Sequence, residues 1–158
     1  MKKILFILTF ALIIIGCKSK SATTKVVEVE KPTMIFLKPS EADASQSKKA
    51  YDLGTRVLMT CNTSRFKPFN STEATTTVIK NTTQDRLTQT CHKFRLKYGD
   101  FKELNLVEVV HNTTDNSFVY RYKAIYTKPI ANKELRVTMN NQNKVSSIKS
   151  TDWVNEYK

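Results

Sequence analysis

The sequence predicts an α+β domain in which helices come first and an antiparallel sheet follows, and three observations predict it. Apolar side chains recur at helical spacing between about residues 41 and 98, Pro68 and Gly99 punctuate that part, and the period changes to two after Gly99. Helices segregated in this way from a meander of strands make an α+β fold. Ser40 with Asp43 three residues on resembles a capping box. Tyr51, Gly54, Leu58 and Cys61 then share one stripe, so a first helix is expected over residues 41–62. Phe66-Lys67-Pro68-Phe69 breaks it, because proline has no N–H to donate and pushes its predecessor out of the helical region. A short second helix is expected to start after Ser71 or Thr72 and to fade near Asn81. Leu87, Cys91, Phe94 and Tyr98 line a third, which Gly99 terminates in the left-handed conformation.

Beyond Gly99, Leu104, Leu106 and the cluster Val107, Val109 and Val110 mark one strand. Phe118, Tyr120, Tyr122, Ala124 and Tyr126 alternate along the next, with a polar loop at 112–116 between the two. Leu135, Val137 and Met139 mark a third strand, and residues 145–148 a fourth after a turn at 140–143. The expected architecture is N-terminal helices packed on a four-stranded antiparallel sheet, the domain covering residues 40–158.

The segment before it reads as an address. Lys2 and Lys3 precede an almost wholly apolar run at 4–15, followed by Gly16, Cys17 and the polar KSKSATTK. A spanning helix needs about 20 apolar residues, so the run has the length of a signal-peptide core instead. Ile14-Ile15-Gly16-Cys17 resembles the bacterial lipobox. That resemblance implies a signal peptide at 1–16 removed after Gly16, a diacylglyceryl group on the Cys17 thiol, and acylation of the freed amine by a fatty acid such as palmitate. At about 0.8 kcal/mol per buried methylene, several chains anchor a protein firmly where one does not. Lys18 is not the Asp associated with inner-membrane retention, so a lipid anchor in the outer membrane, facing the periplasm, is expected. Residues 17–39 then read as the lipidated cysteine and a flexible tether containing a short extended piece, Met34–Leu37. Its lysines outnumber Glu28 and Glu30. They can rest on anionic head groups, at about 1 kcal/mol each near the surface, or simply be solvated.

Composition is that of a globular domain, with 40% hydrophobic and 25% charged residues. The formal charge is +12, and the chain stays strongly basic without Lys2 and Lys3. A basic surface suits nucleic acid, an anionic membrane or an acidic partner. An exported protein seldom meets nucleic acid, and these lysines are spread along the chain with no RNP-type aromatic pattern. Nucleic acid is therefore set aside. The membrane, another envelope protein or a small apolar ligand remain as partners.

The order of a long helix, a Phe-rich break, a Thr-led helix, KYGDFKEL running into a Tyr-rich hairpin, and a last strand ending KVSSIKSTDWV resembles small NTF2-like (cystatin-like) domains over roughly residues 40–154. That resemblance implies a curved sheet wrapped around helices, a cone whose open end can hold a ligand. Enzymes on this fold place acids and bases inside the cone, yet no such catalytic residue aligns onto this chain, and fold does not give function. Two readings follow: a non-enzymatic ligand- or protein-binding module, or an enzyme of the isomerase or dehydratase type.

Cys61 and Cys91 remain once Cys17 is lipidated, an even pair in an oxidising compartment. Each lies on the apolar stripe of its helix, so packed helices can bring them within bonding distance, which would add about 3 kcal/mol by the chain-entropy model. Two buried free thiols are the alternative. Cys91-His92 with Cys61 and His111 has metal-ligand chemistry without metal-ligand spacing, and no glycine-rich phosphate loop or hydrolase signature is present. No metal or cofactor is expected. Tyr120, Tyr122 and Tyr126 form the face best suited to a ligand pocket or a protein contact, core packing being the plainer use of the same residues.

Overall fold

The computed structural model describes residues 33–157, so Cys17, the leader and most of the tether lie outside the described residues. Asp43, rather than Ser40, caps the first helix, its carboxylate accepting the Gln46 N–H at 2.6 Å, and α1 runs Ala44–Thr63. Ser40 sits instead in a 3-10 turn, Pro39–Glu41, closed by the Lys38 N–H donating to Glu41 Oε2 at 2.7 Å. Helix α2, Thr76–Asn81, starts at a Thr75 cap, and α3, Gln84–Tyr98, at a Thr83 cap. The Gly99 N–H closes α3 on the Arg95 carbonyl with φ of 79°. Glycine is needed there for space too, because a Cβ would fall 2.0 Å from Thr127 Oγ1.

The sheet has five strands, not four. Met34–Leu37 is β1, and it pairs antiparallel with β2, Phe101–Asn112, placing Ile35 opposite His111 and Leu37 opposite Val109. The chain continues through β3, Ser117–Tyr126, β4, Lys133–Met139, and β5, Val145–Asp152, in the spatial order β1-β2-β3-β4-β5. This is an open antiparallel meander whose first strand precedes all the helices. A wholly apolar tetrapeptide gains little in a solvated tether, and here Leu37 packs on the core. Residues 33–39 therefore belong to the fold, and not to the tether as the sequence suggested.

One face of the sheet carries the helices. Val109, Tyr120, Tyr122, Leu135, Val137, Met139 and Val145 are buried there, with α1 laid across β2 and β4 and α3 leaning on α1. The closest approach is at Gly54, where an added Cβ would meet Leu135 Cδ2 at 2.9 Å and Val137 Cγ2 at 3.1 Å. The opposite face is charged. Residues after β5 return over it, Trp153 and Tyr157 lying against Arg121 and Arg136.

Candidate functional site

Tyr120, Tyr122 and Tyr126 share a strand face, as their alternation requires, and that face is the floor of the core and not an open surface. Tyr120 Oη donates to Gln46 Oε1 at 2.8 Å, and Tyr122 Oη to the Ser47 carbonyl at 3.3 Å, both reaching up to α1. Tyr126 packs among Phe94, Tyr98 and Phe101, its hydroxyl buried without a hydrogen-bond partner among the described residues. Burial raises the pKa of all three phenols, that of Tyr126 to about 12. None lines any of three cavities that the described residues form around α1 and α3. The cause is the helix layer: amphipathic rings that could have faced a ligand are covered by α1 and α3.

An opening on the helix side lies a layer away. Cys61 and Cys91 are joined by a disulfide with Cα atoms 4.7 Å apart, stapling the end of α1 to the middle of α3. Beneath the staple is a crevice of about 140 Å³ between α1, α3 and the β4–β5 strands. Val57, Leu58, Leu87, Phe94, Leu135 and Ile148 make its walls, and Thr90 and Ser150 supply hydroxyls. It exists because α3 leans on α1 and not squarely on the sheet. On the other side of the disulfide is a wider groove of about 550 Å³ that includes Thr88, His92, Arg95 and Asp100. Arg95 is already engaged, its Nε donating to Asp100 Oδ1 at 2.8 Å. The staple thus separates an apolar space from one of mixed lining.

His92 reaches the groove and not the crevice, and His111 is bound to Asn116 Oδ1 at 2.8 Å and stacked on Phe118. No group of three His, Cys, Asp or Glu side chains suited to a metal ion occurs among the described residues, nor a helix long and apolar enough to cross a membrane.

Sequence patterning missed the most concentrated electrostatics of the molecule. Arg121, wholly buried, forms a fork–fork pair with equally buried Glu134, Nε to Oε1 at 2.8 Å and Nη2 to Oε2 at 2.9 Å. Glu108 and Arg136 extend the network, and Arg121 Nη2 also donates to the Val154 carbonyl at 2.8 Å. Trp153 and Tyr157 cover the guanidinium at 5.0 and 5.6 Å. Burial pushes the Glu134 pKa up, but Arg121 and Arg136 together hold it below the ordinary carboxylate range. With all three guanidinium nitrogens of Arg121 and both carboxylate oxygens of Glu134 engaged, the network is a fastening for residues 153–157, not an opening for a ligand.

No known family, no curated protein and no solved structure matches this chain.

Proposed function

We propose that the protein is an envelope lipoprotein, anchored to the membrane through acylated Cys17, whose α+β head is a non-enzymatic binding module. The head takes a small apolar group, from a free ligand or from the side chain of another envelope protein, into the crevice beneath the disulfide. The observation that carries the binding role is the lining of that crevice, hydrocarbon on both helices and both strands with two hydroxyls to orient what enters. Its volume of about 140 Å³ matches a benzene-sized guest, since apolar cavities of about 150 Å³ stay dry and take up benzene. Helices layered on one face of an antiparallel sheet support an NTF2-like reading of the fold, the crevice taking the place of the cone interior. An isomerase or dehydratase would need an acid or a base in that space. The anchor rests on the lipobox pattern at Ile14–Cys17 and on the charged and apolar segments before it.

The test has two readouts. Intact mass spectrometry of protein from a bacterial membrane fraction is expected to show two or three acyl chains on a chain beginning at Cys17, and Cys17→Ala is expected to keep its leader and carry none. An unmodified wild type would remove the anchor from this reading. Benzene titration followed by methyl resonances is expected to move Val57, Leu58 and Leu135 and leave Val119, on the far face, unmoved, with Thr90→Trp blocking the effect. Unmoved resonances throughout would remove the binding role.

A further inference from the structure

At the end of the molecule where α3 stops, two aliphatic side chains stand in the open. On α3 the stripe Leu87, Cys91, Phe94 and Tyr98 turns inward, and Leu96 falls on the opposite side, with His92 and Lys93 one turn before it and Gln89 two turns before. Leu96 is 64% exposed. The β3–β4 connection lies against the same turn of helix: the Lys128 N–H donates to the Tyr98 carbonyl at 3.1 Å, and Lys128 Nζ to the Leu96 carbonyl at 2.6 Å. The Ala131 N–H then donates to the Lys128 carbonyl at 3.1 Å, which puts Pro129 and Ile130 at the corner of a tight turn. Polar residues and glycine ordinarily take such corners, yet Ile130 is 68% exposed. With Leu96 it is one of the two most exposed large apolar side chains among the described residues.

Cations surround this pair. Among the described residues at this end, Lys93, Arg95, Lys97, Lys128 and Lys133 outnumber the carboxylates of Asp100 and Asp152, which Arg95 and Lys133 already hold at 2.8 and 2.9 Å. Lys102 and Glu103, next along β2, balance each other. Lysine and arginine in a last helical turn suit the negative end of the helix dipole, which accounts for Arg95 and Lys97 but not for two bare aliphatic side chains beside them. A protein partner suits the combination badly, because the buried centre of a protein interface is depleted of charge, and of lysine in particular. An anionic bilayer suits it well. Aliphatic side chains enter the boundary between head groups and acyl chains, lysine stems lie alongside them, and the ammonium groups stay at the phosphates.

We propose that Lys93, Leu96, Lys97, Lys128 and Ile130 form a docking surface for an anionic phospholipid bilayer, with Leu96 and Ile130 as the inserting residues. The folded head makes this contact itself, so it does not depend on acylation of Cys17. Leu96 is also a wall of the wider groove beside the disulfide, and docking therefore sets that groove at head-group level.

Methyl resonances of the full chain on lipid nanodiscs, with a spin label in the acyl region of the lipid, test this. On discs of phosphatidylglycerol and phosphatidylcholine the label is expected to broaden Leu96 and Ile130 and to spare Thr114, in the β2–β3 turn at the other end of that hairpin. Lys93→Gln/Lys97→Gln is expected to lower the partition of the head onto the disc surface at least about tenfold, each lysine near an anionic surface contributing about a factor of five. Val109 and Val137, both fully buried, stay unmoved in that variant and so report an intact fold. A chain that stays with the discs through acylated Cys17 alone shows no broadening at Leu96 and Ile130, and that result overturns the proposal while leaving the lipid anchor standing. Equal broadening on discs of phosphatidylcholine alone, or equal broadening of Thr114, also overturns it. Shifts at Leu96 and Ile130 that grow with protein concentration in the absence of discs overturn it too, and assign the surface to a second copy.

Discussion

Arg121 holds a full charge at a position with no accessible surface, and its stability contribution depends on its partners rather than on the charge itself. Removing one member of a buried pair leaves the other uncompensated and costs about 3–5 kcal/mol, whereas replacing both by well-packed apolar residues is often neutral. Arg121→Ala and Glu134→Ala are each expected to lower the urea unfolding free energy by about that amount, with Arg121→Met/Glu134→Leu recovering most of it. Because the Glu134 pKa is depressed in the fold, its contribution is complete above the ordinary carboxylate range and is lost as pH falls below it. Equal losses in the double and single variants would mean that the network does more than satisfy itself. Period-two alternation places Arg121 between Tyr120 and Tyr122, on the face away from the core, and so reads as exposed. What buries it are Trp153, Val154 and Tyr157, whose return across the sheet leaves no local pattern.

Among the elements, α1 depends most on one small residue. Alanine at Gly54 gains about 1 kcal/mol of helix propensity, but overpacking a filled interface costs about 1–3 kcal/mol, and Leu135 and Val137 are both buried. Gly54→Ala is expected to lower stability by up to about 2 kcal/mol in urea unfolding. An increase would show that the sheet yields at Leu135. The sequence carried the helices well because their signals are local. The break at Pro68 and the stop at Gly99 act within a turn or two, and the same holds for the alternation of β3 and β4, whereas the starts were less legible: α2 begins at a Thr75 cap and not after Ser71 or Thr72, because residues 70–74 first make a turn held by Asn70. Strand β1 was seen only as an extended piece, since four apolar residues do not name a partner that follows three helices later. The crevice was half legible: Leu87, Cys91 and Phe94 lie on the stripe read from α3, while Thr90 and Ser150 enter only through the tilt of that helix. The tyrosine face was seen correctly as a face, but what covers it is settled by packing.

For the molecule as a whole, those tyrosines set the alkaline limit. Tyr126 titrates near 12 in the fold and Tyr120 and Tyr122 are also raised, against about 10 for an unfolded tyrosine. Groups raised in this way contribute stability that is complete below about pH 10 and is lost as pH climbs toward their folded values. Cooperative unfolding is expected above pH 10, and phenolate absorbance should rise together with loss of helical circular dichroism. Absorbance that rose first, on an intact fold, would mean the rings are reached by water.

The fastening of residues 153–157 also bears on how the head is made. Arg121 and Glu134 lie in neighbouring strands, yet the cover over the guanidinium arrives from Val154, 33 positions after Arg121. A chain emerging N-terminus first from a ribosome or an export channel must keep that ion pair wet until Trp153 and Tyr157 have cleared the exit. Final drying of the charged face is therefore a late event in biogenesis, and a nascent head stalled before residue 153 would offer an unfinished surface to the chaperones and proteases that patrol the route.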